Sequence, residues 1–254
     1  MIRVQGVSTR YGRKNPEVLK RVDFELPEGR IGVLLGPNGS GKSTMLQCLL
    51  GLMKYEGEII LDGVSLKDLS SRERAKKIAY VPQTLSFAPS SVYDAVMIGR
   101  IPHFGLTPGD KDHEKVRETL EELGLSDLAA RNVLELSGGE RQKVAIARAL
   151  VQEAKILVFD EPTSNLDIAA EEAILSLVRK LCKEKGLTVL LTMHDLNLAL
   201  QVGERFILLK DGEVIDSGDD SIVNEDNIAS AFGVHAERVQ INGKNFIIHG
   251  GKEE

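Results

Sequence analysis

Gly36-Pro37-Asn38-Gly39-Ser40-Gly41-Lys42-Ser43-Thr44 follows the apolar run Ile31-Gly32-Val33-Leu34-Leu35 and leads into a stretch of helical spacing. The pattern G-x-x-x-x-G-K-[ST] marks a phosphate-binding loop. Its glycines permit backbone dihedrals and close approaches that a Cβ would block, so successive N–H groups can curl around phosphate oxygens. Lys42 adds a mobile positive charge for β- and γ-phosphates. The Ser43 hydroxyl is placed to bind Mg²⁺, and the helix that follows offers its positive dipole end. A glycine-rich turn that binds nothing is the alternative, and it does not explain the agreement of motif, preceding strand and following helix.

The chain around this loop has 254 residues, 42% hydrophobic and 28% charged, enough for one large α/β domain or a core with a small appended subdomain. A net charge of −6 and the absence of Trp argue against a protein that mainly holds nucleic-acid backbone or stacks bases. Cys48 and Cys182 are too few for a disulfide scaffold and fall at apolar positions of helical patterns, so core packing accounts for them. No apolar run approaches the roughly 20 residues that span a bilayer, and Met1-Ile2-Arg3-Val4-Gln5 lacks a signal-peptide core. A cytoplasmic protein is expected.

Ile2 to Val7 and the alternating Val22, Phe24 and Leu26 read as an antiparallel β layer, with Tyr11 in the polar loop between. Tyr11 is either a surface tyrosine or a ring free to stack on a ligand. Leu46, Leu49, Leu50 and Met53 form the stripe by which the helix after the phosphate loop packs on a sheet, ending near Gly51. Asp62-Gly63 predicts a hairpin turn after Gly57 to Leu61. Ile78 to Val81 is a short strand stopped by Pro82, which leaves Gln83 opening an irregular stretch. From Thr84 strand patterns vanish. Helical segments are expected over Val92 to Arg100 and Lys111 to Leu123, the second starting at Thr107-Pro108 and ending at Gly124.

Leu136-Ser137-Gly138-Gly139-Glu140 precedes another amphipathic helix. Ser137 with Glu140 fits a capping box, which suffices for those two residues. It does not account for consecutive glycines in a first turn, each costing about 1 kcal/mol relative to alanine. Amides exposed beside the Ser137 hydroxyl would make a second anion site. Lys155 to Phe159 is a continuously apolar strand ending in Asp160-Glu161-Pro162, so two carboxylates emerge where α/β sheets place ligands. Asp160 continues the strand toward a bound Mg²⁺, while Glu161, facing the other way, can polarise a water. An acidic pair before Pro can also simply end a strand. A helix with Ile174, Leu177, Val178, Leu181 and Cys182 on one side leads to the strand Leu187 to Met193, which ends in His194-Asp195. His194 is structural or, on the same rim as Asp160, a γ-phosphate contact. Arg205 to Lys210 and Glu213 to Ser217 form a hairpin through Asp211-Gly212. A helix from about Ser221 to Phe232 follows, then strands Ala236 to Ile241 and Asn245 to His249.

Together these motifs resemble the ATP-binding-cassette (ABC) ATPases from about Ile2 to Gly218: phosphate loop, Gln83 as the Q-loop glutamine, Leu136-Ser137-Gly138-Gly139 as the signature, Asp160-Glu161, Ser164-Asn165-Leu166-Asp167 as the D-loop, and His194 as the switch histidine. Tyr11 matches the aromatic that stacks on adenine. Glu140 departs from the family's usual glutamine, and Asn165 from a small residue. The resemblance implies a P-loop NTPase fold with a mixed, largely parallel sheet, an antiparallel β layer and a helical insertion. The ATPase domain would span 1–218, with the insertion at about 84–152 and a small extension at 219–254.

It also implies a mechanism. ATP would lie on Gly36, Pro37, Asn38, Gly39, Ser40, Gly41, Lys42, Ser43 and Thr44 of one copy and be covered by Ser137, Gly138 and Gly139 of a second, head-to-tail copy. Glu161 would activate water. Gln83 and His194 would read the γ-phosphate, and Ser43, Gln83 and Asp160 would serve Mg²⁺. Partners would be a membrane permease, contacted through Thr84 to Phe104, and indirectly a solute-binding protein. The chain would then be peripheral on the inner face of the membrane. Gly99-Arg100-Ile101-Pro102-His103 and Met193 to Ala199 resemble subunits for iron-chelate, haem or cobalamin uptake. A soluble single-cassette ATPase acting in an assembly or nucleic-acid process is the other reading.

Overall fold

The computed structural model describes residues 1–12, 14–164 and 166–249. Two compact units make it up, Met1–Asp68 with Arg179 onward, and Leu69–Val178.

In the first unit β1 (Ile2–Thr9) pairs antiparallel with β2 (Leu19–Leu26), and the alternating Val22, Phe24 and Leu26 are buried as their period predicts. β1 runs past Val7 because its register slips around Gly6, where φ of 58° opens a bulge. β3 (Ile31–Leu35) is buried at every residue. It feeds the phosphate loop and then α1 (Lys42–Leu49), whose Leu46 and Leu49 are buried together with Met45 and Cys48. Met53 lies beyond the helix, contrary to the expected stripe, because Gly51 turns left-handed at φ 66° just past the last turn. β4 (Glu56–Leu61) and β5 (Val64–Ser65) form the expected hairpin, with Asp62 and Gly63 both at positive φ, 50° and 78°.

The second unit opens with α2 (Ser71–Lys77), a helix without a buried residue that is started by a complete capping box between Ser70 and Glu73. β6 (Ile78–Val81) stops at Pro82. α3 (Val92–Met97) continues as a 3₁₀ turn to Arg100. α4 (Asp110–Glu122) starts from Gly109 rather than Thr107-Pro108, because the Asp112 carboxylate accepts the Gly109 N–H at 2.9 Å. α5 (Gly138–Leu150) follows Ser137, and β7 (Ile156–Asp160), buried throughout, runs parallel to β6. α6 (Ile168–Lys185) begins in the second unit and ends in the first, with Ile174, Leu175, Val178, Leu181 and Cys182 buried.

Back in the first unit, β8 (Thr188–Met193) leads to α7 (Leu196–Val202) and β9 (Arg205–Lys210). β8 and β9 flank β3 in parallel, and β10 (Glu213–Gly218) returns antiparallel to β9 through Asp211-Gly212. α8 (Glu225–Phe232) begins later than Ser221, since Asn224 is its cap and accepts the Asn227 N–H at 2.9 Å. β11 (Ala236–Ile241) and β12 (Lys244–His249) form the terminal hairpin. An α/β core with parallel and antiparallel strands and a helical subdomain is thus the fold expected. Among the described residues no helix is long and apolar enough to cross a membrane.

Candidate functional site

The phosphate loop is built at the C-terminal end of β3, the edge where α/β sheets present ligands. Gly39 and Gly41 take φ of 83° and 109°. A Cβ on Gly36 would stand 2.2 Å from the Leu209 carbonyl oxygen, and one on Gly41 2.8 Å from Leu19 Cδ2, so backbone alone fits at both. Gly41 is also the N-cap of α1 and supplies no side-chain cap, leaving the first amides of the helix to another acceptor. Lys42 is buried, its Nζ donating to the Gly36 and Pro37 carbonyls at 2.7 and 3.2 Å. The ammonium is thereby held within the loop it would share with phosphate oxygens. Ser40 Oγ is buried with no hydrogen-bond partner among the described residues, while Ser43 is exposed. A loop closed to a Cβ at Gly36 and Gly41, a helix start with no side-chain cap and an orphan hydroxyl together fit a polyphosphate.

Tyr11 lies half exposed at the end of β1, and its hydroxyl is hydrogen-bonded to Thr44 Oγ1 at 3.1 Å and Gln47 Oε1 at 3.3 Å. The ring is therefore pinned beside the start of α1 by its polar tip, a link invisible in the sequence. His194 is exposed directly after β8. The next residue, Asp195, caps α7 by accepting the Asn197 and Leu198 amides at 2.8 and 2.9 Å.

In the second unit, Ser137 forms the full capping box. Its Oγ accepts the Glu140 N–H at 3.3 Å, and its own N–H and hydroxyl donate to Glu140 Oε2 at 2.8 and 2.7 Å. The Ser137 hydroxyl and N–H hold the Glu140 carboxyl below the usual glutamate range. Gly138 is exposed and Gly139 half-buried, so the first turn of α5 presents backbone.

Asp160 ends β7 and is buried, with Tyr80 of the neighbouring strand directing its hydroxyl to Oδ2 at 3.4 Å. Burial pushes the Tyr80 phenol up to about 12, assisted by the Asp160 charge, so Tyr80 remains a donor. Nothing in the sequence singled out Tyr80; only the parallel register that sets Tyr80 opposite Val158 reveals it. Glu161 takes the left-handed conformation at φ 46°, costly for a non-glycine residue and typical of strained functional turns. Its Oε2 accepts the exposed Gln83 Nε2 at 2.9 Å. Two residues that the sequence separates by a whole subdomain are thus in direct contact. Within the D-loop, Asn165 lies outside the described residues.

A family model described as ABC transporter matches residues 19–164, more than half of the chain. Fold, phosphate loop, signature helix and matched family agree: the chain belongs to the ABC transporter ATPase family, whose members bind and hydrolyse ATP. It is 41% identical to the hemin import ATP-binding protein of Deinococcus radiodurans over 91% of this chain and 90% of that protein. A metal-chelate type ABC transporter solved in an inward-facing conformation superposes with a TM-score of 0.85 at 30% identity, covering 98% of this chain and 96% of that one. A dimeric ATP-binding cassette in a post-hydrolysis state, bound to ADP and Pi, superposes at 0.75 with 35% identity over 86% of this chain and 98% of that one.

Proposed function

We propose that this chain is the ATPase subunit of an importer for an iron chelate, haem or cobalamin, working as a head-to-tail pair of copies on a membrane permease served by a solute-binding protein. The observation that carries this reading is the likeness to a metal-chelate transporter over nearly the whole chain, C-terminal extension included. Homodimer closure is supported by the dimeric relative.

ATP with Mg²⁺ supplies the phosphoryl bond that is broken. Gly36 to Thr44 bind the phosphates through backbone amides, Lys42 neutralises their charge, and Tyr11 carries the base. Mg²⁺ would be held by Ser43 and Asp160, with Gln83 as a third contact, and would supply positive charge against the phosphates. Glu161 takes the proton of the attacking water, and His194 contacts the γ-phosphate. The second copy contributes Ser137, Gly138 and Gly139, whose backbone excludes water from the closed site.

The permease contact is Thr84 to Phe104. Ile98 and Ile101 are exposed there, 51% and 57%, on a segment fixed from beneath by buried Arg100, which donates to Asp112 Oδ1 at 2.9 Å and the Val151 carbonyl at 2.6 Å. Gly99 allows this packing, since a Cβ would lie 2.0 Å from the Arg148 carbonyl oxygen.

Glu161→Gln tests the chemistry: turnover falls about 100-fold or more while ATP binding persists and a dimer accumulates with ATP on size exclusion. Unchanged turnover would remove Glu161 as the base. Detergent extraction that preserves transporter complexes is expected to recover a multispanning partner, and vesicles containing both to take up a ferric chelate or haem. Recovery of no such partner favours the soluble assembly ATPase.

A further inference from the structure

The C-terminal extension is tied to the helix that follows His194, and the tie runs through one side chain. Asn197 stands in the first turn of α7, two residues after the cap Asp195. Its Nδ2 donates to the Ile247 carbonyl at 3.0 Å, and its Oδ1 accepts the Ile247 N–H at 2.7 Å. A side-chain amide satisfying both backbone groups of one residue imitates a neighbouring strand, so Asn197 closes the outer edge of β12. Ile247 is 3% exposed, which makes these bonds costly to lose and little screened by water.

The same hairpin is fixed at a second place. Arg238 Nη2 and Asn245 Nδ2 both donate to Asp220 Oδ2, at 2.8 and 2.7 Å, and Arg238 also reaches the Val223 carbonyl at 3.3 Å. Asp220 lies just after β10. The hairpin thus spans from the end of β10 to the start of α7. The turn bearing His194 is bounded on one side by the fully buried strand β8 and on the other by the Asp195 cap and Asn197.

We propose that the C-terminal hairpin is a brace for the His194 turn and that Asn197 is its positioning residue: the amide pair with Ile247 fixes the first turn of α7, and with it the place from which His194 meets the γ-phosphate. This rests on the reading of His194 given above. Asn197 touches no nucleotide in this scheme. Its loss loosens the γ-phosphate contact and leaves the phosphate loop, on α1, as it was.

Steady-state ATPase assays and ADP titrations on the full chain test the brace. Asn197→Ala is expected to lower kcat about tenfold while ADP affinity, which involves no γ-phosphate, stays within about twofold. In a His194→Ala background the same substitution is expected to change kcat by less than about twofold, because its effect passes through the histidine. Hydrogen exchange at the Ile247 amide should accelerate in Asn197→Ala. If that variant fails to fold, Asn197→Asp, which keeps an acceptor for the Ile247 N–H but sets a carboxylate oxygen against the Ile247 carbonyl, takes its place, and kcat is again expected to fall. An unchanged kcat, or full additivity with His194→Ala, overturns the brace. A His194→Ala variant with wild-type turnover sinks the reading of His194 instead, whatever Asn197 does.

Discussion

Two helix starts in this chain carry glycines, and they solve the problem of unsatisfied N-terminal amides in opposite ways. At α1 no side chain among the described residues caps the helix: Gly41 occupies the N-cap with φ 109°, and Lys42 folds onto the loop carbonyls. At α5 the box between Ser137 and Glu140 is complete, and Gly138 and Gly139 have ordinary helical φ. The first start is unfinished without an anion. The second is finished as a helix, and its glycines are surplus to folding. Glycine is required by close packing at Gly36 and Gly41, whereas at Gly138 and Gly139 a Cβ would meet only ordinary contacts.

The largest effect expected from breaking this contrast is at Lys42. Lys42→Ala removes the cradle's only lysine and should reduce ATP hydrolysis about 1000-fold or more in a phosphate-release assay. Residual turnover within tenfold of wild type would mean that the loop is not the phosphate site. Next come the glycines. Gly36→Ala drives a Cβ to 2.2 Å from the Leu209 carbonyl oxygen, where backbone must move, at about 3 kcal/mol by urea unfolding. Gly138→Ala meets nothing nearer than Leu166 Cδ2 at 3.7 Å and gains helix propensity, up to about 1 kcal/mol. The second variant should therefore be at least as stable as wild type yet slower in turnover if, as proposed, this face meets the other copy. A Gly138→Ala protein that is both stable and fully active would show that only one of the two starts is a site.

The unequal legibility of the fold has the same physical origin. Turns whose conformation one dipeptide dictates, Asp62-Gly63 and Asp211-Gly212, were readable because each pair takes positive φ at both positions. The strands β3, β7 and β8 were readable from their apolar runs, and each is buried throughout. α2 was not, because it buries nothing and so has no apolar period; only the capping-box residues Ser70 and Glu73 announce it. The chemistry-bearing candidates stand in local motifs, but their side-chain bonds join distant segments: Gln83 to Glu161, Tyr80 to Asp160, and Tyr11 to Thr44. Such pairs depend on register and topology, which spacing along one segment does not encode.

The smallest effect separates the two starts by their response to acid. Ser137 bonds favour the charged form of Glu140, so its pKa is depressed in the folded chain, whereas α1 has no acidic residue in its first turn to titrate. A carboxyl with a depressed folded value adds stability that is fully present above its unfolded value, about 4.3, and is lost as pH falls through the folded one. Glu140→Gln keeps the box, since glutamine can accept both Ser137 bonds, but has no proton to take up. Compared by urea unfolding, wild type should exceed the variant by about 0.5 kcal/mol above pH 5, through the charge at the helix N-terminus. That advantage should shrink as pH falls below about 4, where the carboxylate protonates. A difference that stays constant down to acid pH would mean that the charge of Glu140 takes no part in holding the signature helix. The family's more usual glutamine would then be its equal as a cap.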